Sequence, residues 1–100
     1  MLLIPLQPKP NQTLGIMLNG QPCEINIFQK STGLFASLFV QNKPIVTTRL
    51  VRHGVGIVRQ SYLGFDGDLV MIDTQGENDP NYLGLGTRWQ LYYVTAGDLS

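Results

Sequence analysis

Hydrophobic positions along this chain recur at every second residue. In the stretch 11–18, Leu14, Ile16 and Leu18 share one face, as a half-buried β-strand requires. Asn19 and Gly20 follow, and Asn-Gly accepts positive φ at both central positions of a type I′ turn. The return stretch, 22–28, places Cys23, Ile25 and Ile27 on one face and Glu24 and Asn26 on the other. Together these predict a β-hairpin over 11–28.

The same period continues downstream. "STG" (31–33) predicts a turn, and "LFASLFV" (34–40) a strand apolar on nearly both faces, hence buried. "QNKP" (41–44) predicts a second turn, ended by Pro44. The β-branched stretch 45–52 then returns beside its neighbour. "HGVG" (53–56) predicts a bulge or corner, 57–63 a further extended segment, 64–68 a turn, and "LVMID" (69–73) the next strand. A long loop at 74–86, with room for a short helical turn within 78–85, enters a final strand at 87–94 and a tail at 95–100. At the other end, Pro5, Pro8 and Pro10 exclude a helix and predict an extended arm over 1–10, as an edge strand or a polyproline-like lead-in. No window repeats every 3.6 residues. The pattern predicts one all-β domain over 1–100: a small antiparallel β-barrel or sandwich of about six to seven strands with an extended N-terminal arm.

Composition changes the functional picture more than the fold. Of 100 residues, 43% are hydrophobic and 14% charged. The charged share falls short of the roughly 25% of an ordinary soluble domain, which favours a protein that covers its surface with neighbours. A domain of this length buries only about two-thirds of its chain surface, so contacts with other subunits would add stability. Net charge is +0, from seven basic and seven acidic residues. The densest basic stretch, Arg49, Arg52, His53 and Arg59, is interrupted by apolar residues and glycines. Phosphate binding needs a continuous basic stripe, so nucleic acid is not an expected partner. The longest apolar run is far shorter than the roughly 20 residues of a spanning helix, and no membrane insertion is expected. "MLLIPLQPKP" lacks a basic n-region and its apolar run is broken by proline, unlike a signal peptide. First folding in a cytoplasm is expected.

Catalytic templates fail on their ingredients. The one histidine, His53, lies in a turn and reads as a surface or capping group. Cys23 has no second cysteine for an internal disulfide or a cysteine-rich zinc site. It reads as a small buried hydrophobe, with a bridge to another chain open in an oxidising location. Ser31, Ser37 and Ser61 lie in no nucleophile-elbow pattern. Acidic residues gather at 66–68, at Asp73 and at 77–79. Their spacing is wrong for an EF-hand, and Asp and Asn favour turns because their side chains bond nearby backbone. "GLG" (84–86) lacks the lysine and following helix of a phosphate loop. No catalytic residue, cofactor or metal ligand is therefore expected. Gly84, Gly86 and Pro80 are read as shaping the loop, as Asn19 and Gly20 shape the first hairpin.

On the last strand, Trp89, Leu91 and Tyr93 point one way and Arg88, Gln90, Tyr92 and Val94 the other. With the first set in the core, Arg88 and Tyr92 are left to meet a partner, and both residue types are enriched at interfaces. The arm, with Leu2, Ile4 and Pro5, is suited to lying across a neighbour, because its prolines leave little conformational entropy to lose.

Three stretches also carry a family likeness: "IPLQPKPNQTLGIMLNGQ" (4–21), "GLFASLFVQNKPIVTTRLVRHGVGIV" (33–58) and "GDLVMIDTQGENDPNYLGLGTRWQLYYV" (67–94). The last is the most specific. In this order they resemble the small plug proteins of contractile-tailed phage baseplates, from cyanophage and related phages. The resemblance implies a non-enzymatic virion protein without catalytic residues or cofactors. It would be a plug at the central hub that bridges hub, tube and wedge proteins, present in multiple copies and assembled in the host cytoplasm. Beside it stand two other classes. One is a small β-barrel binding module recognising nucleic acid or a peptide. The other is a small enzyme completed by a partner chain, for which only His53 and scattered carboxylates are on offer.

Overall fold

Alternation along the chain is realised as two antiparallel sheets. The computed structural model describes residues 2–18, 20–58 and 67–95. Its strands are β1 (Leu2–Ile4), β2 (Asn11–Leu18), β3 (Gln21–Lys30), β4 (Gly33–Val40), β5 (Lys43–Leu50), β6 (Asp68–Asp73) and β7 (Trp89–Val94), with a 3-10 turn at Tyr82–Gly84. One sheet has the order β2-β3-β4-β5 and the other β1-β7-β6. The all-β expectation holds, as a sandwich-like arrangement of seven strands among the described residues.

The four-stranded sheet is a meander of two-residue turns. Leu18 pairs with Gln21, Lys30 with Gly33, and Val40 with Lys43. Gly20 has φ +76°, as the expected Asn-Gly turn requires, while Asn19 lies outside the described residues. The third turn is shorter than 41–44. Gln41 and Asn42 have φ +52° and +66°, and two successive left-handed residues make a type I′ turn that matches the strand twist. Pro44 does not end the turn but lies inside β5, opposite Phe39. A proline is tolerated there because β5 is an edge strand.

Leaving β5, the chain crosses to the other sheet. The Val51 N–H still bonds the Leu34 carbonyl at 2.8 Å. Two residues later His53 bridges to Met71, and Gly56 bridges to Val70. The N–H groups of Gly54 and Ile57 donate to the Met71 and Leu69 carbonyls at 2.9 and 2.8 Å. The glycine-rich segment is thus the expected corner, and it lies along the edge of β6. Ile57 and Val58 do not form the strand expected over 57–63. The rest of that stretch, most of the turn at 64–68 and the tail beyond 95 lie outside the described residues.

Inward residues of both sheets make one core. Ile25, Ile27, Leu34 and Leu38 come from the meander, and Ile4, Leu69, Met71 and Leu91 from the other sheet. Each such side chain contributes about 1.5–3 kcal/mol on burial. Cys23 is buried among them as a free thiol, and burial raises its pKa above the ordinary thiol value.

Candidate functional site

The long loop after β6 is organised by one carboxylate. Asp73 ends β6 with its side chain removed from solvent. Its Oδ1 accepts from Arg88 Nε at 2.8 Å and its Oδ2 from Arg88 Nη2 at 2.9 Å. The same oxygens accept the N–H groups of Gln75 and Asn78, each at 2.9 Å. The bidentate guanidinium, helped by these two N–H donors, holds the carboxyl well below the usual carboxylate range, against the opposing effect of burial. The Asp73 N–H donates to His53 Nδ1 at 2.9 Å, so His53 serves as a capping group. The His53 N–H in turn donates to Asp79 Oδ1 at 3.3 Å. Corner, loop and β7 are tied together at this point.

Arg88 also lies over the ring of Trp89, 4.6 Å from its centroid. Trp89 is buried, and its indole N–H donates to the Asn78 carbonyl at 3.1 Å. Two glycines let the loop close on this pair. A Cβ at Gly84 would collide with the Trp89 ring. Gly86 has φ +83°, and a Cβ there would collide with the Leu6 carbonyl oxygen. Neither position accepts a larger residue without movement. Pro80 is buried. The Asn81 side chain caps the 3-10 turn by accepting the Leu83 N–H at 2.9 Å. The Tyr82 N–H donates to Gln29 Oε1 at 3.1 Å and ties this loop to the other sheet.

The residues read as partner contacts are not all presented alike. Tyr92 is half-buried on the outer face of the three-stranded sheet, flanked in register by Leu3 on β1 and Val70 on β6. Leu2 and Leu3 are 47% and 48% exposed, and Pro5 is exposed. Ile4 is instead a core residue with no exposed surface, because it pairs with the inward Leu91. Arg88 turns its charged group inward to Asp73. The N-terminal segment therefore packs on its own chain as an edge strand. Leu3 and Val70 were missed as contact candidates, since only the pairing of β1, β7 and β6 sets them beside Tyr92. Asp73 accepts nearby backbone N–H groups as the turn reading expects, while its pair with Arg88 goes beyond that reading.

Among the described residues no group of three or more His, Cys, Asp or Glu side chains converges as a metal site would require. A surface depression of about 290 Å³ on the four-stranded sheet is lined by Gly15, Pro22, Cys23, Glu24, Phe39, Gln41 and Asn42. Within this lining Cys23 faces the core and Glu24 the opposite side of β3. Among the described residues no helix is long and apolar enough to cross a membrane.

Compared with models of protein families, residues 1–96 match the one described as cyanophage baseplate Pam3 plug gp18. A search of curated proteins gives no match.

Proposed function

The chain belongs to the cyanophage baseplate plug family, and from that premise we propose that it is a non-enzymatic plug at the central hub of a contractile-tail baseplate, bridging hub, tube and wedge proteins. It is a structural component of the phage tail. The observation that carries the reading is the family match, which spans nearly the whole chain.

Physical features of the molecule support the finer role. A domain with 14% charged residues and no net charge has little repulsion to overcome when packed among neighbours. The row Leu3, Tyr92 and Val70 offers an apolar and aromatic face of the kind that anchors protein contacts, and Leu2, on the opposite face of β1, and Pro5 add exposed surface at this edge. Arg88 contributes from within, by holding the loop between β6 and β7. Folding in the host cytoplasm and incorporation in multiple copies complete the proposal.

The test is size-exclusion chromatography with light scattering, on the chain alone and mixed with purified hub, tube and wedge proteins of the same tail. A stable complex with one of them, weakened in Tyr92→Ala while the free variant keeps its fold, is the expected outcome. Absence of any complex would overturn the bridging role and favour a small binding module, which a salt-sensitive affinity for nucleic acid or a peptide would then identify.

A further inference from the structure

The two edges of the four-stranded sheet are not equivalent. β5 carries Lys43 and Pro44, a left-handed Thr48 at φ +50°, and two breaks of register against β4. These are the devices that stop a strand edge from pairing with another chain. β2 has none of them. It keeps unbroken register with β3 from Asn11 to Leu18 and contains neither proline nor charge.

The phase of hydrogen bonding on β2 follows from two prolines. The Gln29 N–H donates to the Pro10 carbonyl at 2.7 Å, and the Gln41 N–H donates to the Pro22 carbonyl at 2.9 Å. The Pro22 carbonyl therefore faces β4, and the pair Met17–Pro22 does not bond across β2 and β3. Antiparallel pairs alternate in this respect. Gln12, Leu14, Ile16 and Leu18 thus bond to β3. Asn11, Thr13, Gly15 and Met17 direct their N–H and C=O groups to the open edge.

Gly15, in the middle of this edge, is not demanded by the fold. Its φ is outside the left-handed region, and an added Cβ would meet only the Cys23 carbonyl oxygen, at 3.9 Å. A glycine within a strand weakens it, and it often marks close approach by another backbone.

We infer that two copies of this chain pair antiparallel through β2, about a twofold axis at Gly15. In this register Gly15 lies opposite Gly15 of the second copy, Leu14 opposite its Ile16, Thr13 opposite its Met17, and Gln12 opposite its Leu18. Residues that bond outward meet residues that bond outward, and the inward faces of both sheets continue across the axis. Leu14 and Ile16, only partly buried against the core, gain cover from each other. An uncharged strand meets itself without the like-charge repulsion that opposes most self-pairing. β5 is blunted, β1 is an edge of only three residues and segment 53–57 lies along β6, so no third copy is recruited and the assembly closes as a dimer. The inference does not depend on which baseplate protein the chain meets.

Light scattering and amide exchange on the full chain test it. The expected result is a concentration-dependent dimer in which the amides of Thr13, Gly15 and Met17 are protected, and exchange quickly on dilution. Those of Leu14 and Ile16 stay protected in both states. In Gly15→Pro the lost N–H is one that faces away from β3, so the variant should keep its circular dichroism spectrum and raise the dimer Kd by roughly tenfold or more. A monomer at every concentration overturns the inference, as does a dimer that survives Gly15→Pro with its fold intact. If the variant fails to fold, the wild-type pattern decides: rapid exchange at Thr13, Gly15 and Met17 in a dimer overturns it. Protection of these amides only after baseplate proteins are added assigns the edge to a foreign strand instead.

Discussion

In the four-stranded sheet, neighbours in space are neighbours in sequence: β2, β3, β4 and β5 follow one another through two-residue turns. In the three-stranded sheet, β1 meets β7 across nearly the whole chain, and β6 meets β7 across the long loop. The first arrangement needs only short loop closures. The second must close large ones before any contact is gained, which is slow and entropically costly. The compensation is visible in side chains. The meander closes its turns by backbone conformation, whereas the loop before β7 is held by Asp73, Arg88, Trp89 and two close-packed glycines. One sheet is specified locally and the other by a long-range polar and aromatic cluster.

The largest effect that separates the two should come from Trp89→Ala, which removes a buried ring that the loop closes on. A loss of about 3–5 kcal/mol is expected, read from the midpoint of denaturant unfolding. Close behind is Asp73→Asn, which gives up the charge that Arg88 and two backbone N–H groups bind. Its signature is in pH. The folded carboxyl titrates below its unfolded value of about 3.9, so on acidification the unfolded chain takes up this proton first. Stability from Asp73 is therefore present above about pH 4 and is lost as pH falls toward the folded pKa. Asp73→Asn should be less stable at neutral pH and should show a flatter acid limb in thermal melts across pH. A steep, unchanged limb would show that other carboxylates carry it.

Glycine sharpens the comparison further. Gly84→Ala should cost roughly 1–3 kcal/mol by forcing a methyl group against the indole. Gly15→Ala, where the methyl group makes only an ordinary contact with the Cys23 carbonyl oxygen, should stay within about 0.5 kcal/mol in the monomer. Equal losses at both sites would mean that the loop adapts freely. A small effect of opposite sign is expected in the turn at Gln41–Asn42. Left-handed backbone is unfavourable for ordinary residues by about 1–2 kcal/mol, and an Asn-Gly pair there relieves most of it. The double variant Gln41→Asn with Asn42→Gly should gain up to about 1 kcal/mol, seen as a rise in Tm.

This difference also explains how much was legible in the sequence. In β3 the burial of Cys23, Ile25 and Ile27 follows from parity alone, and the turn chemistry sets its partner. The corner at 53–56 and the 3-10 turn were readable for the same local reason. Pro44 was misplaced because proline signals a turn more strongly than it signals an edge strand, and edge position depends on sheet order. Of the strand expected over 57–63, the described residues Ile57 and Val58 are not strand, because they follow the edge of β6; the rest lies outside the described residues. The Asp73–Arg88 pair joins residues separated by the whole loop, and no local pattern announces it. Arg88 was read as facing outward by strand parity, but it precedes β7 and is redirected by that carboxylate. Ile4 reads from the sequence as a partner contact on an extended arm, and only its pairing with Leu91 shows it to be core.

Electron cryomicroscopy of baseplates isolated from the phage that encodes this chain tests the account most directly. A seven-stranded sandwich should be found within the baseplate, with Leu3, Tyr92 and Val70 against a neighbouring protein and the Asp73–Arg88 pair intact. A complete baseplate with no density for this sandwich would contradict it.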